Sequence, residues 1–120
     1  MRITTGSIQK KASKSDGIRI CIMRRIKPEF KFDMWLPVLS PSTKLLAAYQ
    51  NKEVSWPVFE KRLKKEILPK QKKYFEMIIG LSKKNNVTLL CWEDSAEFCH
   101  RSIIAQEIKK LSPGTIVLHK

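Results

Sequence analysis

Between Cys91 and Arg101 this 120-residue chain gathers its densest set of reactive side chains: Cys91, Glu93, Cys99, His100 and Arg101. Cys99 heads a predicted helix, where backbone N–H groups and the helix dipole lower a thiol pKa, and Arg101 adds to that effect. A Cys99 thiolate with His100 or Glu93 as proton carrier is the nucleophilic chemistry this pattern allows. It also predicts that Cys99 is more reactive than Cys21, which sits between Ile20 and Ile22. Neighbouring residues on a helix point about 100° apart, so Cys99 and His100 need not touch. The phosphatase and rhodanese loops place an arginine six residues after the cysteine, whereas here those positions hold Glu97 and Ala105. The plain alternative is a cysteine packed beneath the loop with no chemistry.

Two other chemistries compete for the same residues. Cys91, Cys99 and His100, with Glu93, could ligate zinc, but only Cys99 and His100 are close in sequence, unlike the paired spacing of structural sites. The reading adopted is no metal and no cofactor, with Cys91, Cys99 and His100 as the alternative ligand set. The second chemistry is anion binding. Arg24, Arg25 and Arg101 could converge with a helix N-terminus on a phosphate or carboxylate. None of the four glycines falls in a phosphate-binding fingerprint, so side chains would have to hold a nucleotide. Trp92 is the tryptophan expected at the ligand, while Trp35 and Trp56 are expected to pack and His119 has no assigned role. Against this stands a bracing role, with Arg101 paired to Glu93 or Asp94.

The elements that must position these residues follow from hydropathy and turn chemistry. Arg2 to Thr5 is a short first strand, and Gln9 to Asp16 reads as a flexible loop. Asp16-Gly17 turns the chain into a second strand, Ile18 to Met23, rich in β-branched residues. Arg24 and Arg25 follow that strand's carboxyl end. Pro28 breaks the next stretch, and from Asp33 the pattern turns helical. Ser40-Pro41-Ser42 and Ser55-Trp56-Pro57 both read as helix starts, and Phe59, Leu63 and Ile67 line one face of the helix after the second. A third helix runs from about Lys70 to Lys84. Val87 to Trp92 is a strand covered on both faces, Cys99 to Leu111 is the last helix, and Thr115 to Leu118 is a final strand. The order implies a single α/β domain over residues 1–120, with a small, mostly parallel sheet and helices packed on it. Ligands of such sheets bind outside the carboxyl ends of the strands, where Arg24, Arg25, Glu93, Cys99 and Arg101 should meet.

Composition narrows the function classes. Lys and Arg number 24 against 11 acidic residues, a net charge of +13 that favours polyanions, nucleic acid included. Most of that charge is lysine scattered over predicted helices, which equally describes a solvated surface. No apolar run approaches the roughly 20 residues of a membrane span, and the N-terminal residues lack a signal-peptide core. Three cysteines, an odd count, suit a reducing compartment, so the expected location is the cytoplasm.

Several blocks resemble a known family. Asp16-Gly17-Ile18-Arg19-Ile20, Arg24-Arg25, Trp35 to Ser42, Trp56 with Phe59, Glu66, Val87 to Glu93 and Cys99-His100-Arg101-Ser102 are similar to the domain of unknown function 488 family. The central block resembles its YeaO-like branch, and the likeness covers about Asp16 to Leu111. It implies a compact α/β fold with a site around the Cys-His-Arg turn, and it implies no established reaction. This chain has Met23 where YeaO-like members tend to carry an acidic residue, and it keeps a Cys-His-Arg motif that branch often lacks. The combined expectation is a cytosolic α/β protein that binds an anionic small molecule or nucleotide at the Arg24, Arg25, Glu93, Cys99, Arg101 edge, with or without catalysis. The alternative is a non-catalytic nucleic-acid-binding accessory module acting through its basic surface.

Overall fold

The computed structural model describes residues 2–92 and 99–119. Five strands, β1 (Arg2–Ser7), β2 (Ile18–Cys21), β3 (Met34–Trp35), β4 (Val87–Cys91) and β5 (Ile116–His119), form one sheet in the order β3-β2-β4-β1-β5. Every pairing is parallel. The described residues also form four helices: α1 (Thr43–Gln50), α2 (Trp56–Ile67), α3 (Lys72–Ser82) and α4 (His100–Leu111). This is the small parallel α/β architecture expected from the element order. Among the described residues, no helix is long and apolar enough to cross a membrane.

Side chains alternate across a strand, so each sheet face collects every second residue. Ile3, Ile20, Val87 and Leu89 share one face and merge with the buried faces of all four helices, including Leu45, Phe59, Leu63, Phe75, Ile78, Ile104 and Ile108. Cys21 and Leu90 point to the other face, where Ile8, Met23, Ile26, Phe30 and Phe32 cover them. All five residues of β4 are buried, which explains its almost unbroken apolar run.

Local chemistry sets the element ends. A short 3-10 turn at Lys14–Asp16 is closed by a capping box in which Ser13 and Asp16 bond each other's backbone. Asp16 also pairs with Arg19, and both are nearly buried. Ser42 caps α1 by accepting the Leu45 N–H, and its own N–H and hydroxyl donate to the Glu66 carboxylate at 3.0 and 2.7 Å. Ser55 begins α2, and the chain leaves the helix just before Pro69.

One expectation is corrected here. The segment after Asp33 is not helical at first but contributes β3, followed by a 3-10 turn at Pro37–Leu39. The reason is its partner. Asp33 donates its N–H to the Arg19 carbonyl and accepts the Arg19 N–H at its carboxylate, and the Leu36 N–H reaches the Cys21 carbonyl. Those bonds hold residues 33–36 extended against β2. Trp35, expected to pack, is 43% exposed and donates its indole N–H to the Met23 carbonyl. Trp56 does pack, stacking on Phe59 beside Tyr49.

Candidate functional site

The chain leaves β2 toward β3 on one side of the sheet, while β4 leads through α4 to β5 on the other. Adjacent parallel strands whose connections depart in opposite directions open a crevice at their carboxyl ends. That crevice holds the reactive residues. A cavity of about 400 Å³ is lined there by Met23, Arg24, Arg25, Cys91, Trp92 and His100, with Pro41 and the α1 residues Thr43, Leu46 and Gln50 closing it. A second cavity of about 590 Å³ adjoins it, sharing Leu46, Gln50 and His100 and adding Cys99 and the Tyr49–Trp56–Phe59 aromatic group.

Each wall is locally anchored. Arg24 follows β2 and is gripped from beneath, its Nε and Nη2 donating to the Pro41 and Ser40 carbonyls at 3.0–3.3 Å. Trp92 follows β4, and its carbonyl accepts from the Ser7 hydroxyl and the Gln9 amide. Its ring meets Phe30 edge-on and stays 44% exposed. His100 opens α4 and lies between the two strands. Its Nε2 stands 2.6 Å from the Ile22 carbonyl oxygen. A carbonyl can only accept, so Nε2 carries a proton and Nδ1 turns toward Cys91 Sγ at 3.4 Å. Cys91, Cys99 and His100 thus bring two sulfurs and one ring nitrogen within 4.8 Å of one another.

Cys99 is held differently from an exposed thiol at a helix start, and its role as a nucleophile stays an expectation. Cys99 is the N-cap of α4 in an extended conformation, but its side chain makes no capping bond. It is 2% exposed and turned toward Cys91. The hydrogen bond with Cys91 pushes the Cys99 thiol far above its ordinary pKa and burial pushes it further, with His100 offsetting only part. Cys91 Sγ lies 3.4 Å from His100 Nδ1 and lines the cavity of Arg24 and Arg25, whereas Cys99 lines the neighbouring one.

A family model described as the active DUF488-N3 subclade matches residues 3–112. The chain belongs to the DUF488 family. The match is compatible with the YeaO-like resemblance of the central block. No curated protein matches the chain, and no solved structure does.

In this DUF488 protein the residues anticipated at one sheet edge divide into three groups. Arg24, Arg25, Trp92 and His100 share a cavity with Cys91, while Cys99 lines the neighbouring cavity with His100. Arg101 does not line either cavity. It is wholly buried, with Nη1 at 4.0 Å from Cys99 Sγ. Its burial had a visible signal, because Arg101 stands on the same helical face as Ile104 and Ile108. Glu93 and Asp94 lie outside the described residues, so the catalytic role for Glu93 and its pairing with Arg101 stay expectations. The α1 residues of the cavity wall carry no sequence signal. His119, given no role, has its Nδ1 2.6 Å from the Thr5 hydroxyl across β1 and β5.

Proposed function

We propose that this protein binds an anionic small molecule or a nucleotide in the β2–β4 crevice, over the Cys91, Cys99 and His100 cluster. The observation that carries this reading is the shared cavity: two guanidinium groups line the same 400 Å³ space as a thiol, an imidazole and a half-exposed indole. Among the described residues no carboxylate forms an ion pair with Arg24 or Arg25. Arg24 is pre-oriented by two carbonyls, which lowers the entropy lost when it grips oxygen atoms. Trp92 offers a flat apolar wall for a base or ring. The cluster at the floor gives the bound molecule something to react with, in keeping with a subclade described as active. The arginines support binding whether that floor acts as a nucleophile and base or as a ligand set.

The test is calorimetric titration with a panel of inorganic phosphate, nucleotides and carboxylates. Arg25→Ala is expected to weaken the best binder at least tenfold, matching the ~1.5–3 kcal/mol of a charge-assisted hydrogen bond, with the denaturation midpoint little changed. Equal affinity in Arg24→Ala and Arg25→Ala would remove the crevice as the binding site. A second reading is supported by the net charge of +13: a nucleic-acid accessory module using the lysine-rich surface. It predicts binding to any strand with a steep loss of affinity in salt. The crevice reading predicts selectivity and a shallow salt dependence.

A further inference from the structure

We infer that Cys91 Sγ, Cys99 Sγ and His100 Nδ1 together bind one thiophilic divalent cation, zinc being the natural occupant, with a further coordination position open toward the crevice. The inference deepens the role of the same site but does not rest on an anionic ligand being bound.

Three independent features of the cluster converge. The first is spacing. Zinc lies about 2.3 Å from sulfur and about 2.0–2.1 Å from nitrogen, so tetrahedral ligands of these two types stand roughly 3.5 Å apart. Cys91 Sγ and His100 Nδ1 are 3.4 Å apart, and the two sulfurs and one imidazole nitrogen fall within 4.8 Å of one another. The second is the orientation of the imidazole. A metal-bound histidine usually donates its other N–H to a carbonyl or carboxylate, which fixes the tautomer and aims the lone pair. His100 Nε2 already does this with the Ile22 carbonyl, leaving Nδ1 as the ligand atom.

The third feature is the surroundings. The two sulfurs are buried, so they are shielded from the solvent that would compete for the ion. Arg101 Nη1 lies 4.0 Å from Cys99 Sγ and supports negative charge on that sulfur. Among the described residues the cluster supplies three protein ligands, the number found in catalytic rather than structural zinc sites, and two cysteines with one histidine are a known version of that set. Cys91 and His100 line one cavity, and Cys99 and His100 the other, so the cluster borders open space on both sides. Binding would expel one proton from each thiol, and two thiolates would neutralise the ion. An anion at the open position would then meet the cation on one side and Arg24 and Arg25 on the other.

The spacing Cys-x7-Cys-His lacks the short paired ligands of a zinc finger, which is why sequence alone argues against this site. The fold supplies the proximity instead. Cys91 ends the middle strand and Cys99 caps the helix that returns beside it.

The experiment is anaerobic titration of the reduced, chelator-treated full chain with cobalt(II) alone, followed by competition with zinc. The expected result is one equivalent of cobalt, giving thiolate-to-cobalt charge-transfer bands in the near ultraviolet and visible bands of tetrahedral intensity, abolished by one equivalent of zinc. Cys91→Ser and Cys99→Ser are each expected to weaken binding at least ~100-fold, using loss of an outer partner as a lower bound, while Cys21→Ser leaves it unchanged. Absence of charge-transfer bands in the folded wild-type protein overturns the inference, as does undiminished binding in the Cys91 and Cys99 variants. If a serine variant fails to fold, the wild-type spectrum and the Cys21→Ser control still decide it. Failure of the anion reading would show instead in the Arg24 and Arg25 variants, which leave cobalt binding intact.

Discussion

Replacing Asp16 with alanine strands a guanidinium inside the protein. Arg19 and Asp16 are 8% and 4% exposed, and one carboxylate oxygen accepts both from Arg19 Nη1 and from the Ser13 N–H. Breaking a buried pair by deleting one partner costs ~3–5 kcal/mol, because the remaining charge keeps its desolvation penalty. Arg19 retains a bond from Nε to the Lys31 carbonyl at 3.1 Å, which places the expected loss toward the lower end, about 3 kcal/mol. Loss of the cap on the 3-10 turn acts in the same direction. Urea denaturation monitored by tryptophan fluorescence should show a lower midpoint with an unchanged slope. The double variant Asp16→Ala with Arg19→Met removes the stranded charge and should recover much of the loss. A single-variant loss below about 1 kcal/mol, the range of an exposed pair, would refute the reasoning, as would a double variant less stable than Asp16→Ala alone.

Three further outcomes are expected. Gly17→Ala should cost at least ~2 kcal/mol in the same assay, since Gly17 has φ 64° and an added Cβ would fall 2.0 Å from the Asn86 carbonyl oxygen. Glu66→Ala should cost about 2 kcal/mol by releasing the Ser42 N–H and hydroxyl, and Glu66→Gln, which keeps acceptor and donor, roughly half of that; equal midpoints for wild type and Glu66→Ala would discount the bond. Burial, then the nearby Arg101 charge, lowers the His119 pKa below its ordinary 6.5, so the unfolded chain takes up that proton first as the pH falls. The stability from this group is therefore complete above pH 6.5 and declines below it, and His119→Gln should flatten that part of a pH–midpoint curve.

What the sequence reveals depends on how far each feature reaches along the chain. Val87 to Cys91 and the stripe of Phe59, Leu63 and Ile67 are readable because burial repeats locally. β3 is not readable, since two residues carry no period and their extended shape is imposed by β2. The strand-end position of Arg24 and Arg25 follows from counting strands and crossovers, and both line one cavity with Cys91, Trp92 and His100. The orientation of Cys99 is not readable, for a geometric reason. A helix N-terminus favours a thiolate only if the thiol turns toward the backbone N–H groups, and Cys99 turns toward Cys91. That rotation depends on where β4 ends relative to α4, which no short window of sequence contains.

The strand order also governs how the molecule comes into being. β1 and β2 never pair with each other, because β4 lies between them. Both therefore leave the ribosome well before the neighbour they share, and the Ser7–Trp92 bond spans 85 residues. Closing so long a segment costs chain entropy before any pairing offsets it, which makes a slow, late sheet-forming step the expected course. In that interval the open edges of β1 and β2 are available to other chains, so nascent protein should depend on holding factors more than its size suggests. Insertion of β4 ends the hazard and delivers Cys91 to its place in the same event. The contact between Cys91 and His100 is therefore assembled only in a chain whose sheet has already closed.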